Sequence, residues 1–70
     1  MGESVYKVIE LVGTSQESWE KAASAAIAKA AETIRDIRIA EVSEMDIVVE
    51  NGSIKAYRTR LRVSFKIADG

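Results

Sequence analysis

Apolar and polar positions alternate in distinct ways along this chain, and the changes of rhythm mark its elements. Residues 4–12, SVYKVIELV, are β-branched and aromatic-rich and run into Gly13, which predicts a strand. Val5, Ile9 and Leu11 lie on one face and Tyr6, Val8 and Val12 on the other, the pattern of a strand covered on both sides. Thr14-x-x-Glu17 then reads as a capping box, so a helix is expected over 15–35. Seven alanines between Ala22 and Ala31 favour it, and Trp19, Ala23, Ala26, Ile27, Ala30 and Ile34 make one apolar stripe. Glu17 and Lys21 form an i,i+4 pair in the favourable order.

Two long strands follow, 36–50 and 54–67, around Asn51-Gly52, the preferred two-residue type I′ hairpin turn. An unbroken ladder from that turn sets Glu50 opposite Ser53 and Val49 opposite Ile54. One face then carries Ile37, Ile39, Glu41, Ser43, Met45, Ile47 and Val49 against Lys66, Ser64, Arg62, Arg60, Arg58, Ala56 and Ile54. The other carries Ala40, Val42 and Val48 with Tyr57, Leu61, Val63, Phe65 and Ile67, and is expected to pack on the helix. The expected fold class is α+β: one domain over 1–70, a β-α-β-β subunit with a three-stranded antiparallel sheet wrapped on one helix. One helix covers one side of such a sheet, and an apolar patch on the other side is rarely tolerated by a monomer. Burying each large apolar side chain is worth roughly 1.5–3 kcal/mol, so self-association is expected.

Composition sharpens this expectation. The chain has 70 residues and no cysteine, histidine or proline. That rules out disulfides, Cys/His zinc sites and the usual His-activated nucleophiles, and no catalytic residue is expected. Ten basic and eleven acidic residues leave a net charge of −1, which gives no long-range pull toward nucleic acid. No stretch approaches the roughly 18 apolar residues of a membrane span. MGESVYKVIE lacks the basic start and apolar core of a signal peptide, and a cytoplasmic protein is expected.

Two charged constellations carry candidate chemistry. Arg58, Arg60, Arg62 and Lys66 repeat at period two on one strand face. They fit an anion site, or else salt bridges between subunits to Glu41, Glu44 or Glu10, which is the plainer reading. Glu44, Asp46 and Glu50 also share a strand face, a spacing able to offer oxygens to a hard cation if symmetry multiplied them. Acids on an exposed strand more often simply face water. Trp19 reads as a packing anchor.

VYKVIELVGTS, SWEKA with the Ala-rich run behind it, IRIAEVSE and YRTRLRVSFKI together resemble the dodecin family over nearly the whole chain. The resemblance implies non-enzymatic subunits assembled into a hollow dodecamer that binds or stores flavin (FMN, FAD or riboflavin), some members also holding coenzyme A. It implies a ligand pocket at the flavin-site positions Ile39, Arg58, Glu41 and Met45, with Arg60, Arg62 and Lys66 as anion-binding candidates. At several of the family's positions this sequence departs: Ile39 stands for the Trp that stacks on the flavin ring, Arg58 for a Gln at the flavin edge, and Asp46 for an Arg. Lys66 replaces a further Arg. The aliphatic residue at 39, EMD, YR and SFK are similar to a calcium-binding branch, which makes Asp46, with Glu44 and Glu50 behind it, the metal candidates.

Overall fold

In the computed structural model, which describes residues 3–69 with side chains as far as Ile67, four elements follow in the expected order. They are β1 (Ser4–Ser15), α1 (Trp19–Ala31), β2 (Ile37–Glu50) and β3 (Ser53–Asp69). The strands form one antiparallel sheet in the order β1-β3-β2, so the hairpin partner β3 is central and both other strands are edges.

The first boundary differs from the sequence expectation. Gly13, Thr14 and Ser15 do not turn; they pair with Thr59, Arg58 and Tyr57 and extend β1. The Thr14 capping box is therefore not formed. Ser18 is the N-cap, its hydroxyl accepting from the Lys21 N–H at 3.0 Å, while Ser15 Oγ accepts from the Glu17 N–H. The helix also ends at Ala31 rather than 35. The N–H groups of Thr33 and Ile34 both reach back to Ala30 O, and Asp36 at φ 59° turns the chain into β2. At the hairpin, Asn51 and Gly52 sit at φ 53° and 76°, as a type I′ turn requires.

The core is small and built on alanine. Ala26 of α1 packs with Leu61 and Val63 of β3, both essentially inaccessible, with Ile9, Leu11, Ile27 and Ile37 around them, and Ala22 and Ala30 on the same helix are also buried. Close approach depends on Gly13, where a Cβ would stand 2.0 Å from the Ala22 carbonyl oxygen. Trp19 anchors the other end. Its indole N–H donates to Asp46 O at 3.0 Å, its ring meets Tyr57 edge-on at 5.0 Å, and its carbonyl accepts from the buried Thr59 hydroxyl at 2.9 Å.

Lengths decide what stays uncovered. A 13-residue helix is about 20 Å long, whereas the molecule extends 56 Å along its ribbon. The helix lies over β1 and β3 and barely reaches β2. Beyond the Ser15–Tyr57 pair only β2 and β3 remain. Val42, Met45, Val49 and Ile54 are consequently at least half exposed.

Candidate functional site

The hairpin ladder is not continuous, and its irregularities build the site. Near the turn, Val49 pairs with Ile54; one residue of β3, Lys55, is then skipped, so Val48 pairs with Ala56 and Asp46 with Arg58. On β2 Ser43 is skipped, which restores the turn's register at Val42–Leu61. A third irregularity skips Arg38, pairing Ile37 with Phe65 and Ile39 with Ser64. The bulges match slips in the sequence pattern. Ala40 and Val42 are apolar at even positions and Met45 and Ile47 at odd ones, with the phase change at Ser43.

These bulges correct the expected faces. Met45 and Ile47 pair with Thr59 and Tyr57 on the helix side of the sheet, and Ile37 packs against the core. Met45 therefore cannot share a pocket wall with Arg58. Val48, expected toward the helix, lies on the outer side by alternation from Asp46. Ile39 is turned outward and is 66% exposed, with the Ser64 hydroxyl donating to its carbonyl. Ile39 and Arg58 do share the outer face. Ser64, the partner of Ile39, is six residues from Arg58 along β3, a separation of about 20 Å. No single chain brings Ile39 and Arg58 to one small ligand.

Between them runs a ladder of ion pairs. Arg58 grips Asp46 with two parallel N–H donations, Nε to Oδ1 and Nη2 to Oδ2, each 2.7 Å. Arg60 Nε reaches Glu44 at 3.1 Å, and Arg60 and Arg62 both lean on Glu10 of β1, at 3.7 and 3.5 Å. Glu41 stands opposite Arg62, and Lys66 opposite Tyr6. Glu10, Glu41, Glu44 and Asp46 thus face Arg58, Arg60, Arg62 and Lys66, four acids against four bases. The hydrogen bonds from Arg58 hold the Asp46 carboxyl below the usual carboxylate range, and Asp46 in turn raises Arg58.

This arrangement alters both charge readings. Within the chain, Arg58 pairs with Asp46, Arg60 with Glu44 and Glu10, and Arg62 with Glu10, so the cationic stripe is interleaved with acids of its own chain. The metal candidates are likewise engaged separately: Asp46 by Arg58, Glu44 by Arg60, and Glu50 by Lys55 at 3.2 Å near the hairpin tip. Among the described residues no three acids come together as a metal site. Calcium takes six to eight oxygens, so the carboxylates of one chain do not fit it.

Sequence reasoning did not foresee a cleft between the end of α1 and β1. The end of α1, the segment behind it and β1 enclose about 510 Å³ over Ile9, Leu11, Ala26, Ala30 and Ile34, with Lys29 and Glu32 at its margin. Its only signal is Ile34, an apolar residue of the helical stripe that falls just past the helix.

Comparison with known proteins places this geometry. The dodecin family model matches residues 5–68, and the chain belongs to that family. It is 48% identical over 64 residues to the calcium dodecin of Mycobacterium tuberculosis, covering 91% of this chain and 90% of that protein. The crystal structure of that protein, described as calcium chelating with a novel calcium-binding site, superposes with a TM-score of 0.83 over 96% of each chain. The dodecin of Thermus thermophilus is 40% identical over 65 residues, 93% of this chain and 94% of that one. The dodecin structure from Streptomyces coelicolor, 27% identical, gives a TM-score of 0.91 over the full length of both chains.

Proposed function

We propose that this dodecin is a non-enzymatic, self-assembling holder of a small ligand, working in the cytoplasm as a closed homo-oligomer, with twelve subunits as the family-based expectation. The carrying observation is the apolar surface left bare on both sides of the ribbon. Tyr6, Val8, Val12 and Ile39 are exposed by 47–66% on the outer side, and Val42 and Met45 by 50% and 58% on the helix side. At roughly 1.5–3 kcal/mol for each side chain fully buried, a few such contacts offset the association cost of about 4–15 kcal/mol. Native mass spectrometry at micromolar concentration tests this: a discrete oligomer is expected, and a stable monomer rejects the proposal.

The ligand site on this reading lies between subunits, because Ile39 and Arg58 stand about 20 Å apart within one chain. Flavin remains a candidate through the family, although the aliphatic Ile39 provides no ring to stack on. Titration with riboflavin and FMN, followed by flavin fluorescence, decides it; no change at micromolar protein rejects high-affinity binding.

A second reading, calcium held by carboxylates of several subunits, is supported by the 48% identity to a calcium dodecin. A chelator should then lower the melting temperature of the assembly, and an indifferent melting curve argues against it.

A further inference from the structure

Two apolar features of this chain complement one another. Between the end of α1 and β1 lies the cleft of about 510 Å³, with an apolar floor and the Lys29–Glu32 pair, 3.4 Å apart, on its margin. Far from it along the ribbon, the hairpin tip presents Val49 and Ile54, 65% and 53% exposed, flanked by the Glu50–Lys55 pair. The tip projects past the last residue of β1 and past the start of α1, so no element among the described residues covers it. Nor can it reach its own cleft. Ile54 is nine residues from Val63, the partner of Ile9 on the cleft floor, which amounts to about 30 Å along a stiff paired strand.

We propose that the cleft of one copy receives the hairpin tip of the next. Val49 and Ile54 enter over Ile9, Leu11 and Ile34, and the marginal charges exchange partners, Glu50 to Lys29 and Lys55 to Glu32. The inference rests on the assembly proposed above and names one of its contacts. Because tip and cleft are different patches, the contact is heterologous; it repeats head to tail and stops only where the rotation closes. It covers at once two of the apolar features that the 13-residue helix leaves open. The narrow two-residue turn, with nothing within 4 Å of a Cβ built at Gly52, leaves the tip slim enough to enter.

Disulfide trapping is a clean test, since the natural chain has no cysteine. Thr33→Cys places a thiol at the cleft and Val49→Cys one at the tip. After mild oxidation, the full-length double variant should give covalent species larger than dimers on denaturing gels. An equimolar mixture of the single variants should give only mixed dimers. If the double variant assembles to the native mass but stays uncrosslinked, the tip-in-cleft contact is overturned while the assembly stands; a wild-type monomer overturns both. Self-linking by Val49→Cys alone would mean tip-to-tip packing and also overturns it. Should the thiol variants fail to assemble, Glu50→Lys serves instead. It is expected to raise the concentration needed for assembly about tenfold, and Lys29→Glu in the same chain to restore it; no restoration overturns the contact.

Discussion

Replacing Gly13 with alanine tests whether the helix seat on β1 is as tight as the geometry says. A Cβ at this position would stand 2.0 Å from the Ala22 carbonyl oxygen, 2.9 Å from its carbonyl carbon and 3.0 Å from Ala26 Cβ. The first two obstacles are helix backbone, which cannot rotate aside as a side chain would. Restoring an ordinary 3.4 Å contact requires α1 to retreat by about 1.4 Å. A gap of even 0.5–1 Å forfeits about a quarter to a half of the dispersion energy at each contact, and here it opens along Ala22 and Ala26. Overpacking of this kind costs about 1–3 kcal/mol, and the rigid obstacle places Gly13→Ala at the upper end. Restricting the unfolded chain returns about 0.4–1 kcal/mol, for a net loss of about 2–2.5 kcal/mol. In a domain of this size that lowers Tm by roughly 10–20 °C. The assay is thermal melting by circular dichroism at one fixed protein concentration, because assembly makes Tm concentration-dependent. Gly52→Ala is the control: it meets no atom within 4 Å but sits at φ +76°, and should cost only about 1–2 kcal/mol through backbone strain. A Gly13→Ala variant melting within about 4 °C of wild type would refute the close-approach argument.

The Asp46–Arg58 pair has a pH signature. Since Arg58 depresses the folded-state pKa of Asp46, the pair's stabilisation is fully present above the unfolded value near 3.9 and is lost as pH falls through the folded value. Melting curves between pH 2 and about 6 should show a shallower acid limb for Asp46→Asn than for wild type; superimposable limbs would count against the pair. Trp19→Phe removes the indole donation to Asp46 O and should cost about 1 kcal/mol. An unchanged urea midpoint would mean that the bond contributes nothing. Ile39→Trp adds a ring to the outer face, and stacking worth about 0.5–1.5 kcal/mol should tighten riboflavin binding roughly 2- to 12-fold. Equal or weaker affinity in fluorescence titration would contradict a flavin position at residue 39.

Much of the fold is legible because its determinants are local. Asn51-Gly52 adopts the positive φ angles of its turn whatever surrounds it, and the alanine run makes a helix from intrinsic preference. The helix start is not local in this sense. Thr14 and Ser15 have good capping chemistry, yet pairing with Arg58 and Tyr57 draws them into β1, and Ser18 caps instead. The candidate site was legible in its membership more than in its pairing. Arg58, Arg60, Arg62, Glu44 and Asp46 all stand out at period two, but an unbroken ladder assigns Met45 to Arg58, where the bulges at Lys55 and Ser43 assign Asp46.

The sequence by itself therefore determined the element order, the hairpin turn, the alanine face of the helix and the excess of apolar surface over what one helix can cover. These depend on residue type and on spacing within one segment. Tertiary structure alone decided which acid each arginine holds, that Met45 and Ile47 turn toward the helix side, and that a cleft opens beside Ile34. The physical reason is the two-residue repeat of a strand. One skipped residue inverts every side chain beyond it, and the pairing of two strands fixes which residue that is.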